Sequence, residues 1–145
     1  MDKGSINTPE GVLGDAVKRY REARGMSQQD IAGKMGELGF SWSHNTASLS
    51  ERGKRSVSVN EFVALAVVLR VNPGKLLVPL SDIAVGPDVV IEKDLAAAWL
   101  EGFGALWWDD GKANFDSDLA FEFFSRQGLF VDDAGPRQST KKGDE

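Results

Sequence analysis

Cysteine is absent from the 145 residues, which rules out disulfides and thiolate metal sites. Histidine occurs once, at His44, so a histidine metal cluster or a histidine-centred catalytic triad has almost no support. No run reaches the roughly 18 apolar residues of a membrane span. The first nine residues lack the basic patch and apolar run of a secretory signal, so the expected location is the cytoplasm, away from membranes. A glycine-rich phosphate loop of the nucleotide-binding kind is also missing. The acids Asp109, Asp110, Asp116 and Asp118 do not fall at EF-hand spacing and read as a solvated acidic turn. These absences leave no catalytic residue, metal site or cofactor to name, and the expectation is a protein that is not an enzyme.

What is present is unevenly distributed. The net charge of −5 averages two unlike parts. Residues 1–80 carry 11 Lys and Arg against 8 Asp and Glu, a net +3; residues 81–145 carry 6 against 14, a net −8. Such a division fits a basic binding module followed by an acidic segment with another task, or else two ordinary solvated surfaces.

Taken in order, residues 1–10 form a flexible arm without periodicity. Leu13, Val17 and Tyr20 recur at helical spacing and predict a helix over Gly11–Ala23, stopped by Gly25. Ser27 with Asp30 three residues on opens a second helix, whose buried stripe is Ile31, Ala32, Met35 and Leu38. Phe40-Ser41-Trp42 is a connection whose aromatics plug the core. Ser43–Arg52 is a short third helix capped by Ser43 and ended by Gly53, with little apolar surface and many short polar groups. A helix this polar is a poor core element. The basic run Arg52-Gly53-Lys54-Arg55 beside it points to a polyanion. Ser58 and Glu61 form a capping box that opens an apolar fourth helix, Val59–Leu69. Asn72-Pro73 then starts a short fifth helix that ends at Pro79. Residues 81–91 read as a linker with a β-prone end, Val89–Ile91. A sixth helix is predicted over Glu92–Phe103, a turn at Asp109-Asp110-Gly111, and a seventh helix from Asp116 through Gln127, with Gly128 as its C-cap. Residues 132–145 read as a disordered tail.

Three separated blocks also resemble a family. Leu13-x5-Arg19-x4-Arg24-Gly25-Met26-Ser27-Gln28-Gln29-Asp30-Ile31-Ala32 resembles the opening of the Cro/repressor-type (XRE-like) helix-turn-helix family. Ser48-x2-Glu51-Arg52-Gly53-Lys54-Arg55 resembles the close of its recognition helix, and Val63-x-Leu65-Ala66-x2-Leu69-x-Val71 its fourth helix. The resemblance covers about residues 11–80. It implies a five-helix lambda-repressor-like domain that binds double-stranded DNA, with helix 43–53 in the major groove. It places His44, Asn45, Ser48 and Leu49 at base edges, where Asn pairs well with adenine and Leu with a thymine methyl. It places Gln28, Ser43, Thr46, Arg52, Lys54 and Arg55 at phosphates. Glu51 reads as structural, holding the following turn or an arginine of the first helix. The family usually carries large aliphatic residues where this chain has Ala47 and Ser50, while Leu49 falls on the outer side. Either the helix is rotated, with Trp42 or Phe40 filling the space, or Leu49 faces DNA.

The expected fold is therefore all-α, with the helix-turn-helix domain at 11–80, a linker at 81–91, and a mainly helical acidic segment at 92–131. That segment concentrates Trp99, Phe103, Trp107, Trp108, Phe115, Phe121, Phe123, Phe124 and Phe130, more aromatic surface than a protein leaves exposed. A homodimer through this segment is the first expectation, and docking of a different protein the second. The functional expectation is a sequence-specific transcriptional regulator, a bacterial or phage repressor. Its alternative is an adaptor or antitoxin-like protein on the same scaffold.

Overall fold

Four helices begin where short polar residues stand. In the computed structural model, which describes residues 6–116, 129–132 and 135–138, α1 spans Pro9–Ala23, α2 Gln28–Glu37, α3 His44–Glu51 and α4 Val59–Leu69. Thr8 caps α1 by accepting the Gly11 N–H at 3.1 Å, with Pro9 in the first turn. Ser27 with Asp30, Ser43 with Thr46 and Ser58 with Glu61 are reciprocal capping boxes, each satisfying two backbone N–H groups that the helix itself cannot.

The same helices stop on left-handed residues. Gly25, Gly39 and Gly53 have φ of 65°, 94° and 63°. After each, the chain folds two N–H groups back onto the last turn, as where Phe40 N–H donates to the Met35 carbonyl (3.0 Å) and Lys54 N–H to that of Leu49 (2.9 Å). The end of α4 has the same bonds but carries Arg70 at the left-handed position, φ 56°.

Between these stops the apolar stripes meet. Leu13, Ala16 and Val17 of α1, Ile31 and Met35 of α2, Ala47 of α3 and Leu65 and Leu69 of α4 form one buried cluster with Leu76. Leu76 belongs to a 3-10 helix, Pro73–Leu77, at the place of the expected fifth helix. Phe40 and Trp42 are half-buried against this cluster. No helix among the described residues is long and apolar enough to cross a membrane.

The chain falls into two compact units, Met1–Glu101 and Gly102–Glu145. In the first, the stretch read as a linker holds an antiparallel hairpin, β1 (Ile83–Gly86) with β2 (Val89–Ile91). Asn7, in the expected arm, pairs parallel to Ile83, donating its N–H to the Asp82 carbonyl and accepting that of Ala84. Ile83 and Ile91 face inward and are buried. A fifth helix, α5, runs Lys93–Leu100, capped by the Glu92 carboxylate. It ends short of the predicted Phe103 because Gly102 turns the chain at φ 89°.

In the second unit, β3 (Ala105–Asp109) pairs antiparallel with β4 (Lys112–Asp116), and β5 (Leu129–Asp132) with β6 (Gly135–Gln138). These hairpins overturn the all-α expectation and the mainly helical reading of the C-terminal segment. The physical reason lies in Asp110-Gly111, whose φ values of 48° and 73° are both positive. A two-residue turn with two positive φ angles matches the twist of paired strands, and Asp-Gly favours it. The flanking Trp107, Trp108 and Phe115 are strand-prone. Gly104 admits the Phe115 ring beside it, where any Cβ would collide. Asp116, expected to open a seventh helix, ends β4 instead; the rest of that helix, and its cap at Gly128, lie outside the described residues.

Candidate nucleic-acid interface

The polar composition of α3 leaves it little apolar surface of its own. Ala47 is 1% exposed and Ser50 3% exposed, so these two small residues, and not Leu49, face the core. The space that larger side chains would fill is closed by backbone approach: a Cβ on Gly14 of α1 would stand 2.6 Å from the carbonyl oxygens of both Ser50 and Glu51. Small residues on both sides bring α1 and the end of α3 together. Leu49 stays half-exposed on the outer side, so of the two arrangements the sequence allowed, the one with Leu49 outward is present.

The outer side carries four of the expected base-reading residues. His44 and Asn45 are exposed at the N-terminal turn, and Ser48 and Leu49 follow one turn later, half-exposed. At 100° per residue these four and Arg52 share one side of the helix. Ser43 and Thr46 are spent on the cap: Thr46 N–H donates to Ser43 Oγ at 3.2 Å, and Ser43 N–H to Thr46 Oγ1 at 3.2 Å. Arg52 and Lys54 are exposed at the far end, Arg52 touching the Ser48 carbonyl at 3.4 Å.

Two ion pairs hold this helix. Arg21 of α1 donates Nε to Glu51 Oε2 and Nη2 to Oε1, each at 2.9 Å, and Nη1 to the Met26 carbonyl at 2.8 Å. The Glu51 side chain is 2% exposed, so the pair is almost fully desolvated. The bidentate bond raises the Arg21 pKa above its ordinary value, against the opposing effect of burial. Glu51 thus holds an arginine of the first helix, one of the two roles read for it. Gln28, expected at a phosphate, points its amide at the same carboxylate, 3.4 Å from Oε1.

The second pair has no counterpart in the sequence reading. Trp42 and Arg55 both reach Glu61 of α4: the indole Nε1 donates to Oε2 at 2.6 Å and Arg55 Nη2 lies 3.0 Å from it. The Arg55 guanidinium also stands 5.4 Å from the Trp42 ring centroid, within cation–π reach. Burial pushes the Glu61 carboxyl up, but the Ser58 N–H, the indole and the guanidinium outweigh it and hold Glu61 below its ordinary value. Arg55 is therefore not a free surface cation. The signal in the sequence is faint: a half-buried tryptophan needs a partner for its N–H, and Glu61 also serves the cap at Ser58. Among the described residues, no cluster of three His, Cys, Asp or Glu is placed to hold a metal ion.

Residues 12–79 match the family model described as a helix-turn-helix domain. Among solved structures, the restriction-modification controller protein C.AhdI from Aeromonas hydrophila is 29% identical, covering 46% of this chain and 92% of its own, at a TM-score of 0.41. The hypothetical transcription factor NHTF from Neisseria is 24% identical over 50% of this chain and 77% of its own, at 0.44. The DNA-binding domain of BldD is 26% identical over 48% and 93%, at 0.42. No curated protein matches the chain.

Proposed function

We propose, because residues 12–79 match the model of a helix-turn-helix domain, that the protein is a Cro/repressor-type (XRE-like) sequence-specific regulator of transcription, acting as a repressor in the cytoplasm. One observation carries the reading. His44, Asn45, Ser48 and Leu49 lie together on the outer side of a short helix whose inner side is locked to α1. A helix of this kind enters the major groove with its N-terminal residues at base edges. Asn45 offers a bidentate pair to adenine, His44 a donor or an acceptor, and Leu49 an apolar contact to a thymine methyl. Arg52 and Lys54, exposed where α3 ends, take phosphates and set position without specifying sequence. Gln28 and Arg55, already bonded within the protein, contribute at the margin of the same surface.

Selection of preferred duplexes from a random pool tests this reading. A defined sequence is expected, and a palindromic one marks two subunits, as expected of a homodimer. Asn45→Ala should then lower affinity for the selected site by about 1–3 kcal/mol, with little change on random DNA. Equal loss on both would show that the reading residue lies elsewhere.

A second reading, in which the acidic part binds a protein partner, is favoured by one observation: Phe103, Trp107 and Trp108 of the second unit are 55%, 42% and 43% exposed. In that case the scaffold serves as an adaptor or antitoxin-like protein, and DNA binding is weak.

A further inference from the structure

We propose that Glu61 is a positioning residue for the DNA-reading helix: its one carboxylate clamps both ends of α3 to α4. The proposal rests on the reading of α3 as the base-contacting element. Trp42 immediately precedes Ser43, the N-cap of α3, and Arg55 lies two residues past Gly53, which ends it. Both bond to Glu61 Oε2, at 2.6 and 3.0 Å, while Oε1 accepts the Ser58 N–H at 3.0 Å and so fixes the carboxylate to the start of α4. Arg55 closes the loop by standing over the Trp42 ring and by reaching Ser50 Oγ in the last turn of α3 at 3.5 Å. The Glu61 side chain is 10% exposed, so these bonds form largely out of water.

The helix needs such a device. Eight residues are too few to hold a helix by backbone bonds alone, and α3 gives the core little more than Ala47. The Arg21–Glu51 pair fixes α3 to α1 at its C-terminal end and does nothing for its N-terminal turn, where His44 and Asn45 stand. Base readout demands placement to within about 0.5 Å. The Trp42 bond is the tie that reaches the N-terminal end from another helix. The geometry also divides the basic run after α3: Arg52 and Lys54 face solvent, whereas Arg55 belongs to the clamp.

Two variants of the full chain test the clamp. Trp42→Phe keeps a ring under Arg55 but has no N–H for Glu61, releasing the N-terminal end. Glu61→Gln keeps the cap on Ser58 through its remaining amide oxygen but puts an NH2 donor where Oε2 accepted both the indole and the guanidinium, releasing both ends. Affinities for the selected duplex and for a random duplex of equal length are compared at one salt concentration, together with amide hydrogen exchange across residues 44–51. The ratio of the two affinities is expected to fall about fivefold or more in each variant, the low end for one lost base contact. Random-duplex affinity should stay nearly constant, and α3 amides should exchange faster while those of α1 do not. Unchanged ratios in both variants, or equal losses on the two duplexes, overturn the clamp. A wild-type protein that binds both duplexes alike overturns the base-reading function itself, and the clamp with it. A discriminating wild type with undisturbed variants overturns the clamp alone.

Discussion

Arg70 sits in a backbone conformation that α1, α2 and α3 assign to glycine. Its φ of 56° places Cβ against the neighbouring carbonyl, at a cost of roughly 1–2 kcal/mol for a residue other than glycine. The carbonyl of Arg70 accepts a long bond from Arg24 Nη2 at 3.4 Å, which any residue at position 70 retains. Arg70→Gly should therefore raise stability by about 1 kcal/mol or somewhat less, allowing for the greater freedom of glycine in the unfolded chain. Urea denaturation reads this as a higher midpoint at unchanged slope. Glu61 makes the complementary case for acid. Its folded pKa lies below the ordinary value, so the unfolded chain binds its proton first as pH falls. The stabilisation is complete above about pH 4.3, the ordinary glutamate value, and is lost as pH falls below that towards the folded value. The expected result is a drop in the urea midpoint below about pH 4.3, shallower in Glu61→Gln. An identical drop in both would place the acid sensitivity elsewhere. Asp30, lowered by the Ser27 N–H, titrates in the same sense.

At the scale of elements, the orientation of α3 depends on a glycine that looks unimportant in isolation. Gly14 lies mid-helix in α1, where glycine is unfavourable by about 1 kcal/mol relative to alanine. Propensity alone would make Gly14→Ala stabilising. The carbonyls of Ser50 and Glu51, 2.6 Å from the would-be Cβ, reverse that sign, because backbone cannot yield as a flexible side chain can. Gly14→Ala should destabilise by about 1–3 kcal/mol through overpacking, seen as a lower urea midpoint. Gly33→Ala in α2, where nothing stands within 4 Å, should not. The four helices were legible because their signals are local: capping boxes at Ser27 and Ser58, a Ser43 cap, and glycines past each of the first three ends. The hairpins were not. Asp110-Gly111 reads as a turn, but strand pairing on either side of it is a relation between residues, and Trp107-Trp108 carries no helical or strand period by itself. The tie between Asn7 and Ile83 spans some 75 positions and leaves no trace in either segment. The same limit applied at the site. The outer residues of α3 were legible from its polarity, whereas the partners of Arg55 and Gln28 lie on other helices.

The whole molecule sets charge against shape. A net charge of −5 opposes binding to DNA, yet residues 1–80 carry +3 and present Arg52 and Lys54 at the end of α3. The acidic −8 of residues 81–145 is ill suited to lie on phosphates. The distinction between a DNA-reading regulator and a protein-binding adaptor therefore rests on whether counterions leave DNA when the protein binds. A titration of affinity for the selected duplex against salt concentration measures this directly. Each phosphate neutralised adds about −0.9 to the slope of log K against log salt, so Arg52 and Lys54 alone predict roughly −2 per subunit. A slope at least that steep is the expected result; a flat response would contradict the placement of α3 in the groove.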